Sequence, residues 1–200
     1  MVMTEILQKD EIITAEIVAG ARTLFEKFGL KKTTMEDIAR EVGKGKSSLY
    51  YYFPSKYEIF EAVVNQEIGE LFKTAYKAIE KATTAKDKLK AYTRVRLGKI
   101  NKMANLSQVI KNDLMDNMEV VLKIKKKHAA TQVKMVKQII AEGVAKGEFK
   151  KIGDGDIDLT AFLFTATLTG ISNPLCIDGE FPDLSQKVDE IVDVMVEGIK

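Results

Sequence analysis

The chain has 200 residues, 46% hydrophobic and 30% charged, with three prolines and no tryptophan. This excludes a disordered or fibrous chain, suits one or two domains with a real core, and favours an all-α fold because helix breakers are scarce. The net charge of +2 does not by itself announce a nucleic-acid binder, but its distribution is bipolar: residues 121–151 carry a net +7 without His128, and residues 152–200 a net −8. Each run also reads as the solvated face of a helix.

Taken in chain order, the first expected helix covers about Asp10–Phe28. Ile13, Ile17, Ala21, Leu24 and Phe28 form its buried stripe, and Gly29 follows as a C-terminal cap. No signal peptide is visible before it, since Glu5, Lys9, Asp10 and Glu11 interrupt any apolar run. A second helix starts at Thr33-Thr34, where Thr33 and Glu36 have capping-box spacing, and buries Met35, Ile38, Ala39 and Val42. Gly43-Lys44-Gly45 ends it. A third, short helix covers Lys46–Tyr52, and Phe53-Pro54-Ser55 breaks it. Ser55 can cap a fourth helix running from Lys56 to about Ala82. Further helices are expected near Asp87–Met103, Leu106–Met115, Met118–Lys146, Asp156–Ser172 and Asp183–Ile199, about nine in all. The last has Leu184, Val188, Ile191, Val192, Met195 and Ile199 at a helical period. The stretch Leu159–Ile177 carries no charge and imitates a membrane span. Its threonines, Ser172, Asn173 and Pro174, with acidic flanks on both sides, point instead to a helix buried by protein on most sides. The expected organisation is a unit of residues 1–55 followed by a helical unit of residues 56–200.

The chemistry concentrates at the second and third helices. Two helices joined by a three-residue, glycine-containing turn form a helix-turn-helix when the second is short and polar outward. Leu49 and Phe53, four apart, should pack on Ile38 and Phe25, turning Ser47, Ser48 and Tyr51 outward. Residues 42–57 contain Lys44, Lys46 and Lys56 and no acid. Lysines neutralise phosphates, while serine hydroxyls and helix-start amides bond their oxygens. Three of the six tyrosines, Tyr50, Tyr51 and Tyr52, fall in this one short helix, which cannot bury three consecutive positions. On this reading Tyr50 and Tyr52 hold phosphates, while Lys46, Ser47, Ser48 and Tyr51 read the groove.

Residues 13–60 resemble the DNA-binding domain of the TetR family of transcriptional regulators. The residues that carry the likeness are Ile17, Gly20-Ala21, Leu24-Phe25 and Gly29, then Thr34 with Asp37-Ile38-Ala39, then Lys46-Ser47-Ser48-Leu49-Tyr50-Tyr51-Tyr52-Phe53 with Ser55-Lys56. The sequence departs from the family pattern at Lys44, where an apolar residue is usual, and at Gly45, where a serine cap is usual. The resemblance implies a homodimer whose last two helices pair, a palindromic DNA operator, and a C-terminal pocket whose small-molecule effector controls DNA affinity. It also implies phosphate contacts at Thr34, Tyr52 and Lys56, with base or groove contacts at Lys46, Ser47, Ser48 and Tyr51; Lys44 adds a possible phosphate contact.

Other chemistries fit poorly. Gly45-Lys46-Ser47 ends like a phosphate-binding loop, but Arg40 stands where its first glycine is needed and no strand precedes it. His128 is the only histidine and reads as solvated, so no metal site or serine relay is expected. Cys176, the only cysteine, cannot form an intramolecular disulfide and reads as a buried thiol in a reducing, cytoplasmic protein. No cofactor or enzymatic activity is expected. Two functions stay open: a ligand-responsive repressor, or a dimeric helical small-molecule binder without specific operator binding. Homodimerisation is expected through the helices near 156–172 and 183–199. Tyr92, Met103, Met115, Met118 and Phe162 are candidates to line the pocket. Of Arg94 and Arg96, which could pair with an acidic ligand, one should lie on the surface.

Overall fold

The computed structural model describes residues 2–102, 118–150, 154–171 and 186–197, which hold eight helices and no strand. The helices are α1 (Val2–Phe28), α2 (Met35–Glu41), α3 (Lys46–Tyr52), α4 (Lys56–Glu80), α5 (Ala85–Lys102), α6 (Met118–Ala145), α7 (Asp154–Ile171) and α8 (Val188–Glu197). The helix expected at Leu106–Met115 lies outside the described residues, as do Cys176, Leu184 and Ile199. The chain divides into two compact units, Met1–Ile68 with Ala104–Lys125 and Gly69–Met103 with Lys126–Lys200. Among the described residues no helix is long and apolar enough to cross a membrane.

In the first unit, Ile17, Ala21 and Phe25 of α1 are fully buried with Ile38 of α2, Leu49 of α3 and Ile59 of α4. The rings of Phe25 and Phe60 meet edge to face at 5.7 Å. Arg22 on α1 reaches the buried Glu67 on α4 at 2.7 Å. Hydrogen bonding to Glu26 first, then the nearby Glu67 carboxylate, hold the guanidinium pKa above its ordinary value.

Three details differ from the expectations. Helix α1 begins at Val2 rather than Asp10, since residues 2–9 hold no breaker. Phe28 is half exposed, because the chain leaves α1 at Gly29 (φ 89°); the ammonium of Lys27 lies 5.0 Å from its ring centroid. The cap of α2 is Thr34 with Asp37, not Thr33 with Glu36. Thr33 is buried, and its hydroxyl donates to the carbonyl of Gly29 at 2.7 Å, so it finishes α1 instead of starting α2.

The second unit packs around Leu89, Tyr92, Val136, Ile140, Leu168 and Val192. Thr84 and Asp87 cap α5 reciprocally. Helix α8 lays Val188, Val192 and Val196 inward, while Ile191 and Met195 are half-buried. Its acidic face meets the basic face of α5: Asp193 lies 2.9 Å from Lys86 and 3.2 Å from Lys90, and Asp189 lies 2.6 Å from Arg94. His128, expected in solvent, is half-buried with its ring 5.9 Å from that of Phe72; burial first, then Lys127, pushes its pKa down. Helix α7 is not buried on most sides by this chain, since Leu159, Phe162 and Leu163 are each more than half exposed.

Glycines mark where helices approach. A Cβ on Gly20 of α1 would stand 2.5 Å from Cγ1 of Val42, so this contact exists only because position 20 has no side chain. Gly20→Ala is expected to destabilise the protein by about 1–3 kcal/mol. Gly98→Ala, on α5 with nothing within 4 Å of the added carbon, should stabilise it by about 0.5–1 kcal/mol. Urea denaturation of the two variants checks both signs.

Candidate nucleic-acid interface

Helix α2 ends in a glycine-dependent turn. Gly43 adopts φ 63° and donates to the carbonyl of Arg40, while Lys44 donates to that of Ala39 at 2.9 Å. These two bonds form a Schellman motif, which closes α2 and reverses the chain within three residues. Gly45 is the N-cap of α3, extended at φ −70°, ψ 147°, with no side-chain cap. Its carbonyl accepts from Leu49, so α3 starts regularly without the serine that the family pattern would place there.

Only Leu49 of α3 is fully buried. At 100° per residue, that burial places Ser47 and Tyr51 on the opposite side, with Ser48 at its edge. All three are exposed, Tyr51 at 77%, and their hydroxyls have no hydrogen-bond partner among the described residues. Lys46 and Tyr50 flank this face on one side, with the ammonium 5.9 Å from the ring centroid. Tyr52 flanks it on the other, with its ring edge-on to Tyr51 at 5.0 Å.

The remaining candidate groups are held inside the first unit. Lys44 is mostly covered, with its ammonium 2.9 Å from the Glu16 carboxylate on α1. Lys46 pairs with Glu36 on α2, and that contact lowers the Glu36 pKa and raises that of Lys46. The Tyr52 hydroxyl donates to Asp10 Oδ1 at 2.9 Å, a bond that raises the phenol's pKa. Lys56 directs its ammonium at the carbonyls of Leu30, Lys31 and Thr33, at 2.8, 3.1 and 3.0 Å, and so anchors the loop between α1 and α2. Thr34 is exposed but spends its hydroxyl on Asp37, donating at 2.6 Å and accepting from the Asp37 amide at 3.2 Å. A phosphate contact by any of these groups would therefore displace or share an existing partner. Asp10, Glu16 and Glu36 had no signal in the sequence as partners of the interface.

Of the pocket candidates, Tyr92 and Phe162 have side chains among the described residues. Tyr92 is buried in the second unit, where its hydroxyl accepts from Arg96 at 3.1 Å. Phe162 is 57% exposed on α7 and lines an open groove between α6 and α7. Met103, Met115 and the side chain of Met118 lie outside the described residues. Arg94 is the surface arginine, paired with Asp189, and Arg96 the half-buried one.

Residues 17–63 match the family described as bacterial regulatory proteins, tetR family, and residues 64–198 match the family described as YsiA-like protein, C-terminal region. The chain is 30% identical to the transcriptional repressor KstR2 of Mycolicibacterium smegmatis over 168 residues, covering 78% of this chain and 76% of that protein. Among solved structures, a transcriptional regulator from Cytophaga hutchinsonii superposes with a TM-score of 0.70 at 28% identity, covering 92% of this chain and 96% of that one. FadR of Bacillus subtilis in complex with stearoyl-CoA superposes with a TM-score of 0.70 at 20% identity, covering 93% and 99%.

The Tyr52–Asp10 bond gives a signed pH dependence. The phenol's pKa is raised on folding, so the bond's stabilisation is complete below the ordinary tyrosine value near 10 and is lost as pH rises through the folded value. Denaturation midpoints of the wild type and Tyr52→Phe should therefore differ by a constant amount from neutral pH to about pH 9 and converge above about pH 10. A difference that does not change with pH would show that the hydroxyl bond is not its source.

Proposed function

The chain belongs to the TetR family of bacterial regulatory proteins and is a DNA-binding transcriptional regulator; from that premise we propose that it represses transcription by reading a palindromic operator with α3. The observation that carries this reading is the exposed face of Ser47, Ser48 and Tyr51 opposite the buried Leu49. Such a face presents hydroxyls and one ring edge to the major groove, where base edges carry a distinct donor and acceptor code. Lys44, Lys46, Tyr50, Tyr52, Lys56 and Thr34 surround it as candidates for phosphate contacts, which set register and orientation. We take residues 1–55 as the DNA-binding part and residues 56–200 as the regulatory and dimerisation part, and place the protein in the cytoplasm with its DNA. It acts by binding: a small-molecule effector in the second unit releases it from DNA. A helical binder without operator specificity would leave the exposed face of α3 unexplained.

A homodimer completes the reading. Leu159 and Leu163 on α7 and Val194 on α8 are exposed apolar side chains on the two helices expected to pair. An isologous contact through them would present two copies of α3 to the two halves of a palindrome. Light scattering at micromolar concentration should give a dimer mass for the wild type. The double variant Leu159→Lys, Leu163→Lys should give a monomer of unchanged helix content.

The operator reading is tested by fluorescence anisotropy with the DNA upstream of the chain's own gene. Specific binding should exceed binding to a scrambled duplex by about 10³-fold or more, whereas equal affinities would sink it. The acidic partners add a direction. Glu16 and Glu36 hold Lys44 and Lys46, so phosphates must compete with two carboxylates. Glu16→Gln and Glu36→Gln should each raise affinity for DNA by about two- to five-fold at low salt, since exposed pairs are weak. The gain should shrink as salt rises.

A further inference from the structure

Helix α5 places Arg96 where α6 and α7 both reach it. Its Nη1 donates to the hydroxyl of Tyr92 at 3.1 Å and to Oε1 of Gln132 on α6. Its Nη2 donates to Oγ1 of Thr169 on α7 at 2.7 Å. Every one of these partners is neutral, and among the described residues no carboxylate pairs with the guanidinium. Arginine has five N–H donors, and these three bonds leave Nε–H and one Nη2 hydrogen without a partner among the described residues. Four other basic side chains of α5 are treated differently: Lys86, Lys90 and Arg94 all face Asp189 or Asp193, and Lys88 faces Glu142. A half-buried cation whose partners among the described residues are all neutral sits at reduced solvation without a counter-charge, a state that an incoming anion relieves.

Gln132 and Thr169, the groups that hold Arg96, also line the groove between α6 and α7. The rest of its wall is largely apolar, with Ala130, Val133, Phe162 and Ala166. Its charged members are Lys134, Lys137 and Asp158; Lys137 and Asp158 pair at 2.6 Å, which leaves a positive excess at the groove. Three residues before Arg96 on α5, Thr93 is fully buried and its hydroxyl has no hydrogen-bond partner among the described residues. Arg96 is not itself among the residues lining this trough, but two that are, Gln132 and Thr169, hold its guanidinium, and that pairing of an apolar trough with an adjoining cation matches an apolar chain ending in an anionic group.

We propose that Arg96 is the anion-recognition residue of the effector site, taking a carboxylate or phosphate head while the ligand's apolar chain lies in the groove between α6 and α7. This rests on the reading of the second unit as effector-binding. Planar carboxylates accept two parallel N–H bonds from one guanidinium, and phosphate oxygens do the same, so either head satisfies the chemistry. Tyr92, Gln132 and Thr169 are positioning residues: they fix the plane of the guanidinium without neutralising it.

The test uses the full-length protein and three probes of equal chain length, decanoate, decyl phosphate and decanol, in isothermal titration calorimetry. The two anions should bind at least tenfold more tightly than the alcohol, with decanoate against decyl phosphate telling which head is preferred. Arg96→Gln should abolish the preference. Because that variant also unties three helices, Gln132→Glu serves as a second: it supplies an isosteric carboxylate to Arg96, keeps the helices tied, and should abolish anion binding while helix content and melting temperature are retained. Equal binding of all three probes, binding of none, or an anion preference that survives Gln132→Glu overturns the proposal. Adding decanoate to the operator complex separates the two readings. Anion binding that needs Arg96 but leaves DNA bound would keep this site and remove the effector reading. Release of DNA that is indifferent to Arg96 would keep the effector reading and remove this site.

Discussion

The interface depends on the burial of one side chain, Leu49. A seven-residue helix has no stability of its own in water, so the rotation of α3 is set by what it buries. Leu49 is its only fully buried residue, and a leucine truncated to alanine in such a position costs about 2–5 kcal/mol. With Leu49 seated, Ser47, Ser48 and Tyr51 have one place to go. The Schellman turn at Gly43 then decides where the helix starts, and the absent side chain of Gly20 lets Val42 bring the end of α2 against α1. The face proposed to meet DNA is thus a consequence of packing on its reverse side.

The same packing explains how the flanking groups behave. Several cationic or hydroxyl groups around α3 already have partners: Glu16 for Lys44, Glu36 for Lys46, Asp10 for Tyr52, and three carbonyls for Lys56. Each contact organises the free protein, and a phosphate bound by any of these groups would have to share or replace it. The second unit shows the opposite economy at Arg96, where a charge is built in and left uncompensated. A regulator needs both kinds of group. Flanking charges that are weakly engaged keep non-specific affinity in check, and a charge kept open makes binding of an anion favourable.

Much of the first unit was legible in the sequence because its determinants are local. The spacing of Ile17, Ala21 and Leu24, the glycine at position 43, and Leu49 four residues before Phe53 each act within two helical turns. The capping box slipped by one residue because Thr33 and Thr34 are both competent caps, and only the tertiary bond from Thr33 to the Gly29 carbonyl separates them. The partners of the interface were not legible. Asp10 lies 42 positions from Tyr52, and no periodicity connects them. Phe28 belongs to the stripe yet stands half in solvent, because a stripe does not say where the covering layer ends. Helix α7 reads as a buried helix because an exposed apolar face has the same composition as a covered one: Leu159, Phe162 and Leu163 stand in solvent. Arg94 and Arg96 are two residues apart, and only the fold shows that one meets a carboxylate and the other three neutral groups.

The central claim is that α3 reads bases through the face opposite Leu49. Selection of bound duplexes from a random-sequence library, run in parallel with the wild type and with Tyr51→Ala, measures it most directly. The account predicts a two-fold symmetric motif for the wild type, and for the variant a motif of the same spacing that loses its preference at one position in each half. An unchanged motif, or a loss of affinity spread evenly over all sequences, would show that Tyr51 touches only the backbone and would contradict the account.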